Sequence, residues 1–130
     1  MTPESGEHLG KARTYLTKAR GLLDVMRYND EAGRAAYLAG FHAAQALISE
    51  RTGKTAKTHE GVNSQFNLLT KGDPRVDPEL RRFLSQAYNL KAVADYEAGP
   101  SSIIPLERVE TAITVANRFV DCVTMLLMLP

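Results

Sequence analysis

Apolar residues recur in alternating steps of three and four along two long segments of this chain, and this spacing constrains the fold more than any other feature. Steps of three and four place side chains on one face of an α-helix, whereas a half-buried strand needs alternation with a period of two. No segment shows that period. The two segments are therefore predicted to be helices near the two ends of the chain, with inward positions Leu9, Ala12, Leu16, Ala19, Leu23 and Met26, and Leu106, Val109, Ile113, Ala116, Val120, Val123 and Leu127.

The segment 31–51 is rich in alanine and apolar on nearly all sides, which predicts a helix buried among several neighbours. Asn29 or Asp30 can cap its start, and Gly53 supplies a residue that tolerates the left-handed conformation at its end. Two further helices are expected, one after Thr58 and one opened by the Asp77-Pro78-Glu79 sequence. The prediction is an all-α, up-and-down antiparallel bundle of four to five helices, forming a single domain over residues 1–130.

Composition narrows the classes of function. The formal net charge of +1 excludes the strongly basic footprint expected of a duplex-DNA binder. Cys122 is the one cysteine, so no internal disulfide can form, and the longest apolar run, 125–129, is far shorter than the roughly 20 residues that span a bilayer. We expect a cytoplasmic protein without contact to a membrane. The apolar run 125–129 and the apolar second helix are more apolar surface than a small monomer usually buries, so they also predict a homodimer. The alternative is that the run folds over the end of the bundle.

Several chemistries of helical bundles are absent from the sequence. No Asp or Glu is followed three residues later by His, which excludes the ligand pattern of a di-iron carboxylate site. His8, His42 and His59 fall on three separate predicted regions without local ligand spacing, and no glycine-rich phosphate loop follows a strand. No metal and no cofactor are therefore expected. His42 lies in the most apolar helix, where a packed and hydrogen-bonded histidine is the default.

The first helix carries a basic stripe. Arg13, Arg20 and Arg27 recur every seven residues, with Lys11 and Lys18 beside them. A solvated helix face accounts for this stripe, and a surface that contacts RNA is the alternative.

Three further segments carry a resemblance to a known family. They are 34–44 (RAAYLAGFHAA) in the second helix, 57–62 (KTHEGV) at the start of the third, and 90–96 (LKAVADY) at the end of the fourth. In their order and helix placement they resemble the HEPN (higher eukaryotes and prokaryotes nucleotide-binding) family. The resemblance implies a dimeric helical bundle, often paired with a small nucleotidyltransferase in toxin–antitoxin modules. Many members are metal-independent endoribonucleases whose site, in the dimer cleft, contains an Arg followed a few residues later by a His.

This chain departs from that pattern, because no Arg is followed by His at the family's spacing. Lys91 stands where the family has Arg, and Ala94 or Asp95 stands where it has His; Tyr96 matches. A lysine holds a phosphate as a point charge, without the bidentate fork of an arginine. The resemblance thus leaves open whether the chain cleaves RNA. Catalytic candidates are Lys91, Asp95 and Tyr96; candidates for binding a nucleotide or RNA are Arg34, His42, Lys57 and His59.

Other roles for these residues stay open. Lys91 and Asp95 are spaced to form an ion pair along the helix, and Tyr96 can close the end of the bundle or accept a nucleotide from a partner enzyme. The function expected from the resemblance is an RNA- or nucleotide-binding component of a two-component module, as a degenerate endoribonuclease or without cleavage. The alternative is a non-catalytic structural or substrate-presenting subunit of a nucleotidyltransferase.

Overall fold

The computed structural model describes residues 1–96 and 104–130, with the side chain of Tyr96 excluded. Five helices and no strand are present in these residues, which confirms the predicted all-α helical bundle. The helices are α1 (Pro3–Asp24), α2 (Asn29–Thr52), α3 (His59–Leu69), α4 (Pro78–Tyr96) and α5 (Leu106–Met128).

The second helix is the centre of the bundle, as its composition predicts. It packs against each of the other four helices. Most of its residues are buried, and seven of these buried residues are alanines. Such short side chains allow four neighbours to approach one helix without leaving a cavity.

Glycine allows α4 to come close to α2. A Cβ atom built at Gly40 would lie 2.3 Å from Cε2 of Phe83, and one built at Gly33 would lie 3.3 Å from Cβ of Leu90. Both partners belong to α4, so a larger residue at Gly40 would push that helix away. The close approach also brings the last turns of α4 beside the first turns of α2.

Some of the observed helix ends agree with the ends predicted from the sequence, and others differ. Gly53 ends α2 in the left-handed conformation with φ of 71°, and the Thr58 side chain caps α3 by accepting from the Gly61 amide. Asp77 accepts from the Leu80 amide at 2.9 Å, as expected for the start of α4. The first helix ends at Asp24, two residues before the predicted end. The predicted stop of the fourth helix at residues 99–100 lies outside the described residues.

The expected cap of α2 is wrong. Tyr28 occupies the N-cap position and provides no side-chain cap. Asn29 Nδ2 instead donates to the Ile104 carbonyl oxygen at 3.0 Å, and the Ile104 amide donates to Asp30 Oδ1 at 2.8 Å. Both side chains thus tie the start of α2 to the segment that leads into α5, a contact that no local pattern in the sequence can show.

The fifth helix is apolar enough to resemble a membrane span by length and composition, with a mean hydropathy of 1.3 over its most apolar window. Within that window 44% of the residues are buried inside the bundle, which is also the behaviour of a core helix. Leu126 is fully buried, whereas Met125 and Met128 on the same helix are 51% and 69% exposed. The terminal apolar run is therefore only partly covered by the rest of the chain.

Candidate functional site

Three charged candidates from separate parts of the sequence meet at one end of the bundle. Arg34 Nε of α2 donates to Asp95 Oδ1 of α4 at 2.9 Å, and Lys91 Nζ donates to Asp95 Oδ2. The three side chains are between 25% and 39% exposed. The ion pair predicted between Lys91 and Asp95 is present, and Arg34 extends it to a second helix.

The electrostatics of this trio leave one positive charge. The hydrogen bond from Lys91, followed by that from Arg34, lowers the pKa of Asp95, so this carboxylate is ionised at neutral pH. One carboxylate then faces two cations. Its two oxygens each receive one donor, which is also how Arg and Lys side chains hold a phosphate.

An aromatic group lies beside this trio. The ring of His59, at the start of α3, stacks on Tyr88 of α4 with centroids 3.9 Å apart and an interplanar angle of 15°. Lys91 Nζ lies 5.8 Å from the centroid of the Tyr88 ring. Tyr88 is 37% exposed, so the stacked pair reaches solvent. We call these residues, together with the buried Tyr37, the α3–α4 cluster: Arg34, Tyr37, His59, Tyr88, Lys91 and Asp95.

The hydrogen bond behind His59 fixes which of its ring nitrogens carries the proton. The Tyr37 hydroxyl lies 2.7 Å from His59 Nδ1, and no other partner of this hydroxyl is found in the described residues. Tyr37 is 2% exposed, and burial raises its pKa, so its hydroxyl remains protonated. Since the described residues offer the hydroxyl proton no acceptor other than Nδ1, the arrangement that satisfies this proton has the hydroxyl donating to Nδ1, which leaves the proton of neutral His59 on Nε2. A hydrogen-bond donor thus points away from Tyr37.

His59 is neutral at physiological pH for two reasons. Burial lowers the pKa of its imidazole, and the positive charge of Lys91 lowers it further, against an opposing effect of Glu60. The cluster accordingly offers an ammonium group, a guanidinium group and an N–H donor near an exposed aromatic face. This set suits an anion attached to a flat ring.

The other candidates lie elsewhere or outside the described residues. His42 faces α1, where its ring lies 5.4 Å from that of Tyr15, and its Nδ1 is bonded to Gln45 Oε1 at 2.8 Å. Lys57 is exposed in the segment before α3 and makes no described contact with the cluster. Tyr96 is the last residue of α4, but its side chain lies outside the described part of the chain.

Sequence reasoning missed Tyr88 and the role of the Tyr37 hydroxyl. Tyr88 precedes Lys91 and Asp95 by three and seven residues, so the helical period alone places these three on one face. That signal was available in the sequence. The bond from Tyr37 to His59 joins residues 22 positions apart across two helices and had no local signal.

No group of three or more His, Cys, Asp or Glu side chains in the described residues could hold a metal ion. The donors of the cluster are cationic or carry N–H groups, and only Asp95 would suit a hard cation. The arrangement therefore favours an anionic ligand.

Comparison with known proteins agrees with the fold and with the motifs in the sequence. The model of the HEPN domain matches residues 5–126. A UPF0332 protein from Gloeobacter violaceus is 28% identical over 121 residues, which cover 93% of this chain and 94% of the relative. Since the family model spans nearly the whole chain, this protein belongs to the HEPN domain family.

Proposed function

We propose that this protein is the RNA- or nucleotide-binding component of a two-component, toxin–antitoxin-type module in the cytoplasm, and that the α3–α4 cluster binds the ligand. The observation that carries the proposal is the position of Arg34 and Lys91 next to the stacked rings of His59 and Tyr88. Two cations can neutralise a phosphate, and an exposed ring can stack on a base for roughly 1–3 kcal/mol.

The geometry supports binding more than cleavage. A general base for the 2′-hydroxyl needs a free lone pair, but Nε2 of neutral His59 carries the proton and Nδ1 accepts from Tyr37. Asp95 is ionised, but its two oxygens accept from Arg34 and Lys91, and a carboxylate repels the phosphate that it would have to approach. The proposal is therefore a binding protein that has departed from the ribonuclease pattern of its family.

A protein partner is part of the proposal. Met125, Met128 and Leu129 are all at least half exposed at the end of α5. Exposed apolar side chains grouped in this way suit a protein interface, and we propose a homodimer that pairs with a small nucleotidyltransferase. They also favour the second candidate function, a non-catalytic structural or substrate-presenting subunit of that enzyme.

Binding to RNA can be measured by fluorescence anisotropy with a labelled single-stranded RNA in EDTA. We expect the Arg34→Ala/Lys91→Ala variant to bind about tenfold more weakly than the unmodified protein, because two phosphate contacts are lost. The matched control is Lys71→Ala/Arg82→Ala, which removes the same charge from exposed positions that make no described contact with the cluster. Equal affinities of the two variants would contradict the proposal.

Cleavage is tested in the same mixture by electrophoresis of the RNA. The proposed binding role predicts intact RNA after incubation with the unmodified protein. Cleavage that persists in EDTA and is lost in Lys91→Ala or Tyr96→Phe would instead establish a metal-independent ribonuclease with an altered site. Binding of RNA without cleavage supports the proposal, whereas the second candidate function predicts neither binding nor cleavage.

A further inference from the structure

A second surface with basic and aromatic residues lies along α1, where His42 of α2 borders it. An open pocket of about 670 Å³ lies on the surface at this point, lined by residues of α1 and by His42 of α2. We call it the α1 pocket, and its lining consists of Gly10, Lys11, Thr14, Tyr15, Lys18 and His42.

The lysines of the α1 pocket have no carboxylate within ion-pair distance among the residues that the structure describes. Lys11 and Lys18 are exposed, and neither forms an ion pair with any residue that the structure describes. Lys18 Nζ lies 5.1 Å from the centroid of the Tyr15 ring. Thr14 uses its hydroxyl proton in a bond to the Gly10 carbonyl, 3.0 Å away. The positive charge at this pocket is thus available to a ligand.

His42 presents a hydrogen-bond acceptor here. Gln45 Nε2 donates to the Ala56 carbonyl oxygen at 2.9 Å, which orients the amide and turns Oε1 towards His42. Because Oε1 can only accept, His42 Nδ1 must donate, and Nε2 of the neutral ring keeps its lone pair. Nε2 is not buried. Burial lowers the pKa of His42, and Lys11 and His8 lower it further, which keeps the ring neutral against the opposing effect of Gln45.

The α1 pocket and the α3–α4 cluster are joined by a row of aromatic rings. From Tyr15 to His42 the centroids are 5.4 Å apart, from His42 to Phe41 5.6 Å, and from Phe41 to Tyr37 5.9 Å. Tyr37 then lies 5.6 Å from His59. Tyr15, His42, Phe41 and His59 are partly exposed, whereas Tyr37 between Phe41 and His59 is buried, so the row joins two partly exposed ends through a ring of the core.

The geometry points to the α1 pocket as a second binding subsite, which takes a more distant nucleotide of the same single-stranded RNA that binds at the α3–α4 cluster, since four steps from ring to ring separate Tyr15 from His59. This inference rests on the proposed function. Lys11 and Lys18 would contact phosphate, Tyr15 would offer its ring to a base, and Nε2 of His42 would accept from a ribose hydroxyl or an amino group. A duplex hides the faces of its bases, so the partly exposed rings at the two ends of the row favour a single strand.

The test compares two lengths of labelled single-stranded RNA, a dinucleotide and an oligonucleotide of about 12 residues, by anisotropy in EDTA. The variants are Lys11→Ala/Lys18→Ala in the α1 pocket, Arg34→Ala/Lys91→Ala in the cluster, and the control Lys71→Ala/Arg82→Ala. Each loses two positive charges at positions outside the core, and circular dichroism confirms that each remains folded.

We expect the α1-pocket variant to bind the long RNA about tenfold more weakly. The slope of log affinity against log salt concentration should be smaller in magnitude by about 1.4, which corresponds to two lost phosphate contacts. Its affinity for the dinucleotide should stay within about twofold of the unmodified protein's, since the cluster is intact. An unlabelled duplex should compete at least about tenfold less well than the single strand.

Three other results would contradict the inference, and they differ in what they leave standing. If the cluster variant loses affinity for the long RNA while the α1-pocket variant matches the control, the second subsite is wrong and the proposed function stands. If the unmodified protein binds neither RNA, both are wrong. Equal competition by duplex and single strand would contradict the role of the aromatic row.

Discussion

The two surfaces that flank α2 contain the same kinds of residue in different electrostatic arrangements. The α3–α4 cluster has two cations held by one carboxylate, Asp95. The α1 pocket has Lys11 and Lys18, for which the described residues provide no ion-pair partner. The difference teaches that a basic residue in a sequence is not yet an available charge, because a neighbouring carboxylate on the same helix or on another one decides whether it is neutralised.

The histidines of the two surfaces differ in the same way. His59 accepts from Tyr37 and presents a donor to solvent, whereas His42 donates to Gln45 and presents an acceptor. Identical side chains therefore offer opposite hydrogen-bonding groups, and a buried partner on α2 sets each of them.

The largest effect is expected from Gln45→Leu, which removes the partner behind His42. Gln45 is 6% exposed and bonds both His42 and the Ala56 carbonyl. Leaving these two groups without partners should lower the free energy of unfolding by about 2 kcal/mol. Urea denaturation measures this loss. Gln65→Leu, at an exposed position of α3, is the control and should change stability by less than about 0.5 kcal/mol. A loss no larger than the control's would mean that the amide does not hold His42.

Tyr37→Phe tests the corresponding partner behind His59. The loss of one hydrogen bond to a partly buried ring should lower the free energy of unfolding by about 1 kcal/mol. Nitrogen NMR should also show a change in the proton position on His59. Tyr15→Phe is the matched control, since its hydroxyl makes no hydrogen bond in the described residues. An unchanged His59 spectrum would refute the assigned proton position.

Asp95→Asn should make the two surfaces more alike by releasing Arg34 and Lys91. We expect RNA to bind about fivefold more tightly, because phosphate no longer competes with a carboxylate for these cations. Anisotropy with single-stranded RNA measures the change. The control Asp24→Asn removes the same charge from the ion pair with Arg20, away from both surfaces. Weaker binding in Asp95→Asn would show that this carboxylate contacts the ligand favourably.

The smallest effect is a dependence of stability on pH. Burial is the main cause that lowers the pKa values of His8, His42 and His59 in the folded protein. As pH falls below 6.5, the unfolded chain therefore binds more protons than the folded protein does. The free energy of unfolding is greatest above the ordinary pKa of 6.5 and falls as pH drops through the lower folded pKa values. Urea denaturation between pH 7.5 and 5.5 should show this fall. His59→Gln and His42→Gln should each reduce it, and an unchanged slope in both would contradict the attribution to these residues.

Local patterns were sufficient for some parts of this molecule. Apolar spacing predicted the helices, Gly53 predicted the end of α2, and the separation of Lys91 and Asp95 predicted their ion pair. Each of these depends on residues within one or two turns of each other. The motifs of the second, third and fourth helices were also sufficient to indicate the HEPN family before the fold was known.

The site required more than local patterns. Arg34 and Asp95 are 61 positions apart, and they meet because Gly33 and Gly40 let α4 approach α2 closely. The capping role expected of Asn29 and Asp30 was wrong for a related reason, since both bond to Ile104 from a distant part of the chain.

The sequence by itself determined the helices, the central place of α2 and the types of side chain available for binding, because helix formation and burial follow from local spacing and composition. Only the tertiary structure decided that Arg34 joins the ion pair of Lys91 and Asp95, and which nitrogen of each histidine faces solvent. Those properties depend on contacts between helices, where a buried partner or an opposing charge from a distant residue changes the chemistry of a side chain.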